Sequence, residues 1–175
     1  MEAMGQHQLG DLVARLKDSV GNPRDGLPKE VFLLVSQLTP LINVDLLVQN
    51  DRGETLLTWR KDEYYGPGWH VPGGIVRFKE HFASRIQAVA RSELGTEVEA
   101  DATPLHMSEL MAPHRDVRGH FVSLLYRCRV LGAPASGLEY LGGAPTHGQW
   151  HWHKACPKDL LTVHEIYRQH IDGQV

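Results

Sequence analysis

The chain has 175 residues and a formal charge of −3, with 42% hydrophobic and 22% charged side chains. That length suits one domain with a substantial core, and no apolar run approaches the ~20 residues a membrane-spanning helix needs. The mild acidity argues against wholesale binding of a nucleic-acid backbone, while two cysteines, Cys128 and Cys156, are too few for a disulfide framework and lack metal-ligand spacing, so buried structural thiols are expected.

In chain order, MEAMGQHQLGDL lacks the basic-then-apolar order of a secretory signal, which predicts a cytoplasmic protein with no membrane partner. Leu9, Leu12, Val13, Leu16 and Val20 follow helical spacing, so residues 8–20 should form an amphipathic helix ended by Gly21-Asn22-Pro23. Its apolar stripe must be buried on its own domain or on a twofold mate, and a homodimer is expected because dimers are the commonest oligomers. Residues 1–27 are taken as an N-terminal helical extension and 28–175 as the main domain. PKEVFLLVSQL, residues 28–38, predicts a second helix with Pro28 in its first turn and its end before Pro40.

The period then changes. LINVDLLVQN and ETLLTWRK are short apolar, β-branched runs around Asp51-Arg52-Gly53 and predict a hairpin, followed by a strand at WHVP. A helix over 81–94 stands between strands. LHMSELM, HFVSLLYRCRV and GQWHWHK predict three more strands, joined as successive hairpins by turns at 114–116 and 142–145. DLLTVHEIYRQHID closes the chain as a helix broken or delayed near its start. The fold class is α/β or α+β, a mixed sheet sandwiched between helices.

The helix at 81–94 raises the chemical question. On a regular helical wheel, Ile86, Val89 and Glu93 fall within about 40° of Phe82, so one carboxylate shares the apolar stripe. It also lies in the last turn, just before Gly95 as C-cap, where the helix dipole disfavours negative charge; a cationic partner is expected.

Gly74, Glu80, Glu93 and Gly95 resemble the Nudix box, whose pattern is Gly, five residues, Glu, seven residues, then Arg-Glu-apolar-any-Glu-Glu-any-Gly-apolar. Ala88, Val89, Ser92 and Thr96 depart from it, removing an arginine, two carboxylates and an apolar residue. A box reduced in this way is similar to the GDP-mannose mannosyl hydrolase branch. The segment TPLINVDLLVQNDRGETLLTWRKDEYYGPGWHVPGG, residues 39–74, and THGQWHWH near the C-terminus extend the resemblance over roughly 28–165.

The resemblance implies Mg²⁺ (Mn²⁺ as an alternative) held by the Gly73 carbonyl and the Glu93 carboxylate. Thr146 stands where the branch has a glutamine on the metal, so that vertex is weakened or passes to water. His147 is the implied general base, Arg60 meets the phosphates, and Asp45 holds the nucleotide or sugar. A hard cation suits a carboxylate, a carbonyl and diphosphate oxygens. Imidazole as a residue type suits water activation at neutral pH, and a guanidinium at a strand end can meet phosphate bidentately. Asp45 shares a strand face with Leu47, so either a ligand meets its charge or that face is open to water.

Glu80 is expected to be structural or capping rather than catalytic. Ile75 and Phe121 replace an arginine and a tyrosine of the branch, removing polar contacts to substrate. His151 and His153 share a strand face with no visible third ligand, which makes a structural face the expectation. The implied partner is a small nucleotide sugar and the implied reaction is hydrolysis of a GDP-hexose to GDP and free sugar by attack of water at the anomeric carbon. Two alternatives stay open: a pyrophosphohydrolase cleaving at phosphorus, and a nucleotide-sugar-binding module without turnover.

Overall fold

The computed structural model describes residues 5–174; the ends of the two expected segments, residues 1–4 and Val175, lie outside it. Helices α1 (Gln6–Val20) and α2 (Lys29–Leu38) precede strands β1 (Leu41–Gln49), β2 (Thr55–Arg60), β3 (Gly68–His70) and β4 (Gly73–Ile75). Helix α3 (Phe82–Val89) continues into a π-helical turn (Ala90–Leu94). Strands β5 (Val98–Ala100), β6 (His106–Met111), β7 (His120–Val130) and β8 (Trp150–His153) follow, then a 3₁₀ segment (Thr162–Tyr167) and α4 (Arg168–Ile171). No helix among the described residues is long and apolar enough to cross a membrane.

All eight strands join one mixed sheet, with β1 and β7 parallel at its centre from Leu41↔Phe121 to Val48↔Cys128. Even-numbered β1 residues Val44, Leu46 and Val48 pack with Ile86, Val89, Ala90 and Leu94 beneath α3. The odd face carries Leu47 onto Leu57, Val71, Tyr167 and Ile171, which places the C-terminal segment over the opposite side. This two-sided burial explains why β1 reads as a nearly continuous apolar run.

The expected hairpin is present, with Val48↔Leu56 and Gln49↔Thr55 in register. Beyond it the strands part. β1 passes from β2 to β4 (Asp45↔Gly73), while β2 turns to β3 (Thr58↔His70) and β8 (Thr58↔Trp150). This split opens the floor of the sheet and positions the site.

Four expectations change. β8 pairs with β2, not β7, because β7 already has β1 on one edge and β6 followed by β5 on the other. The short strand β5 was not anticipated; three residues are too few to display a period. The C-terminal half of the 81–94 helix is π-helical, and the wider turn shifts the direction of every later side chain, so a regular wheel misplaces them. Ala90 and Leu94 accordingly complete the buried stripe, while Phe82, in the first turn of the helix and ahead of the π-helical segment, is exposed. Finally, the stripe of α1 is not packed on its own domain: Leu9, Leu12, Val13 and Leu16 are all exposed.

Candidate functional site

Two clefts of ≈ 320 Å³ each flank the split in the sheet, and Arg60, His70 and Gly73 line both. The site residues expected from sequence divide between them. Asp45 lines the first cleft; Glu93 and His147 line the second; Arg60 and Gly73 belong to both; Thr146 borders neither. Thr146 is exposed, and its backbone N–H donates to Gln149 Oε1 at 2.8 Å within a turn that instead turns the next residue, His147, to the cleft.

Glu93 is carried to the second cleft by the π-helical turn. The turn ends at Gly95, whose φ of 66° is left-handed and whose added Cβ would lie 2.7 Å from Ala135 Cβ. Glycine answers both the conformation and the close approach. Glu93 Oε2 accepts from the Thr58 hydroxyl at 3.0 Å and Oε1 from the Gly73 amide at 3.2 Å. The cationic neighbour anticipated for it has a candidate in His70, whose Nε2 lies 3.5 Å from Oε2. Burial works to raise the Glu93 pKa but is outweighed by the His70 ring, then by Thr58 and the Gly73 amide, so the carboxyl titrates below its ordinary range. Its side chain keeps 25% of its exposure, which leaves the anion accessible to a ligand.

His70 was missed in the sequence. Its only signal was alternation: in Trp-His-Val, the buried Trp69 and Val71 lie on one side and His70 faces the other, opposite Thr58. Its Nδ1–H donates to the Thr58 carbonyl at 2.8 Å, which turns Nε2 toward Glu93. His164, 5.8 Å away ring to ring, accepts from the Val71 amide at Nδ1. Burial, reinforced by His70 and Arg60, holds its pKa well below normal, so it is a neutral ring.

Asp45 is 2% exposed, and the structure supplies a third answer to how its charge is met. Asn43 Nδ2 donates to Oδ1 at 2.7 Å, and Tyr167 and Ser123 donate their hydroxyls to Oδ2. Burial nevertheless dominates and pushes its pKa up to about 6. A Cβ on Gly73 would sit 2.2 Å from Oδ1, so glycine is required for β4 to lie against this carboxylate.

Arg60 Nε donates to Asp62 Oδ2 at 2.6 Å, and its guanidinium stands 4.9 Å from the Tyr65 ring centre. His147 is exposed, and its Nδ1 accepts from the Lys61 amide at 3.2 Å. Glu80 has a structural role: Oε2 accepts from Arg85 Nε at 2.8 Å and from the Arg77 amide at 2.9 Å, so Arg85 supplies the partner that Ala88 cannot. His151 packs against Trp69 and edge-on against Tyr140, His153 packs edge-on against Trp69, and burial, with the charge of His151, lowers His153 to about 4. Both cysteines are free, Cys128 fully and Cys156 partly buried, and burial raises their pKa values to about 12 and about 11.

No group of three or more His, Cys, Asp or Glu side chains converges as a metal cage among the described residues. In the Glu93 cleft the other carboxylate, Asp62, is bound to Arg60. This donor set fits a hard ion held by one carboxylate with most oxygens coming from a bound ligand, not a cluster of several ions.

A mixed sheet between helices, split beside the Pro-Gly-Gly segment that leads into β4 and beside a helix-borne glutamate, defines the class. The NUDIX domain profile matches residues 39–166, and the chain belongs to the Nudix family of hydrolases. Among curated proteins it is similar to the low-salt glycan biosynthesis protein Agl8 of Haloferax volcanii, 30% identical over 86 residues, which span 49% of this chain and 54% of that protein. The chain thus matches about half the length of this relative. Among solved structures it resembles a MutT Nudix hydrolase from Burkholderia pseudomallei (22% identity, TM-score 0.58, 78% of this chain and 98% of that one). It also resembles a MutT protein from Methanosarcina mazei Go1 (16% identity, TM-score 0.58, 78% and 96%). Both likenesses concern the fold.

Proposed function

We propose that the protein hydrolyses a GDP-sugar to GDP and free hexose by attack of water at the anomeric carbon. The observation that carries this reading is the convergence of Glu93, Arg60 and His147 on one cleft whose other carboxylate is already paired. Cleavage at phosphorus with several ions would call for more carboxylates. The positions that could supply them are Val89, which is buried in the core, and Ser92, whose hydroxyl donates to the Val89 carbonyl at 3.1 Å. The glycan-biosynthesis name of the Haloferax relative supports a sugar-bearing substrate.

In this mechanism His147 accepts a proton from water beside the sugar at Nδ1, the ring nitrogen that holds the lone pair, with the water taking the place of the Lys61 amide that Nδ1 accepts from here. Arg60, oriented by Asp62, meets the phosphates of the departing nucleotide. Asp45 faces the first cleft; about four acceptor positions on a carboxylate, less the three used by Asn43, Ser123 and Tyr167, leave room for one ligand hydroxyl or amine. Mg²⁺, where bound, would be held by Glu93 and the Gly73 carbonyl and would neutralise charge developing on the leaving diphosphate.

Incubation with GDP-mannose and Mg²⁺ in ¹⁸O-labelled water tests the reading. Label is expected in the sugar, with GDP as co-product. Label in phosphate with release of nucleoside monophosphate would establish the pyrophosphohydrolase instead, and tight GDP binding with no product over long incubation would establish a binding module.

A further inference from the structure

Three guanidiniums surround one aromatic ring at the mouth of the first cleft, the one that Asp45 lines. The centres of Arg60, Arg115 and Arg118 lie 4.9, 4.4 and 5.4 Å from the centroid of Tyr65, and all three line the cleft. Stacking on rings occupies guanidinium faces and leaves the in-plane N–H edges for hydrogen bonds. Those edges are poorly matched. Arg60 Nε has Asp62. Arg115 Nη2 donates only to the neutral Tyr64 carbonyl, at 3.0 Å. Arg118 Nε is shut off from solvent and has no hydrogen-bond partner among the described residues.

A purely structural role would not call for this arrangement. One stacked arginine would suffice to pin the 112–119 loop onto Tyr65, whereas three guanidiniums share the ring and, among the described residues, only Arg60 of the three has an ion-pair partner, Asp62. Burial already pulls Arg118 below the usual guanidinium range, and Arg60 adds to the effect. The position is nonetheless held: the Arg118 amide donates to Ser36 Oγ at 3.0 Å, with the residue at a left-handed φ of 52°. Fixed, uncompensated guanidinium edges facing one cleft are what a polyanion with several oxygens would satisfy.

We propose that Arg115 and Arg118, from the β6–β7 loop, complete with Arg60 a diphosphate-binding subsite in which their free N–H edges take the oxygens of the substrate's pyrophosphate group. The subsite rests on the nucleotide-sugar reading for its biological ligand but not for its chemistry, since it binds the anion without a metal.

The test is calorimetric titration of the full chain in EDTA with inorganic pyrophosphate, GDP and guanosine, for the wild type, Arg115→Gln, Arg115→Lys and Arg118→Gln. Pyrophosphate and GDP are expected to bind the wild type, and Arg115→Gln to weaken both about tenfold or more, the size of a lost charge-assisted contact. Guanosine binding should not change, and Arg115→Lys should recover affinity only in part because an ammonium lacks the bidentate edge. If Arg118→Gln melts, the Arg115 pair carries the test. No pyrophosphate binding to the wild type, or equal affinity in Arg115→Gln, overturns the subsite. Pyrophosphate binding that depends on Arg115, in a protein that releases no product from GDP-mannose, upholds the subsite while overturning the hydrolytic reading.

Discussion

Asp45 on the sheet floor and Glu93 at the end of the α3 turn are the carboxylates of the paired clefts that no arginine holds, and they titrate in opposite directions. Burial acts on both to raise the pKa. Asp45 is met by two hydroxyls and an amide, neutral donors that soften the cost of burial without cancelling it, and its pKa rises to about 6. Glu93 has the His70 ring beside it as well as a hydroxyl and a backbone amide, and its pKa falls. The number of donors is alike; their electrostatic character differs. The contrast separates a carboxyl that knits β1, β7 and the C-terminal segment together from one that stays anionic, a quarter exposed, and free to meet a cation.

The largest effect that would break this contrast is on turnover. On the proposed reading, Glu93→Gln should lower kcat by about 10²-fold or more and abolish the Mg²⁺ dependence, as expected for loss of a metal ligand. Asp45→Asn should stay within about tenfold of the wild type. Steady-state rates over a Mg²⁺ titration decide it, and equal losses in the two variants would remove the distinction.

Stability against pH is the next measure. The folded pKa of Asp45 lies above its ordinary 3.8, so its contribution is complete below pH 3.8 and is lost as pH rises through about 6. The change amounts to about 3 kcal/mol. Glu93 behaves oppositely: its contribution is present above the ordinary 4.5 and lost as pH falls through its depressed value. Urea melts from pH 3.5 to 7 should show the first slope vanish in Asp45→Asn and the second in Glu93→Gln. A wild-type profile unchanged by Asp45→Asn would contradict the assignment.

The smallest effect concerns what holds Glu93 in place. Gly95→Ala puts a Cβ at a left-handed φ and against Ala135, and should cost about 2 kcal/mol in a denaturant melt. A neutral result would mean that the helix end does not constrain the carboxylate.

Local features were legible in advance. Helical spacing located α1 and α2, the Asp51-Arg52-Gly53 turn located the β1–β2 hairpin, and Gly95 as a C-cap fixed where the Glu93 helix ends. These rest on period and turn chemistry, which neighbouring residues decide among themselves. The regular wheel failed at the π-helical turn, where Ala90 and Leu94 took the core positions and Glu93 was left at its edge. His70 and the two β6–β7 loop arginines carried no motif, and β8 followed the open edge of β2 rather than its neighbour in sequence.

By itself the sequence determined the order of the longer elements, the register of Gly74, Glu80, Glu93 and Gly95, and the presence of an acid that needed a partner. Only the tertiary structure decided that the partners are Thr58, Gly73 and His70, that Asp45 is capped by Ser123 and Tyr167, and that the site divides into two clefts. The physical reason is distance along the chain. Glu93 reaches Thr58 across 35 residues and Asp45 reaches Tyr167 across 122; such contacts form only when the sheet, split between β1 and β2, brings remote strands to a shared face.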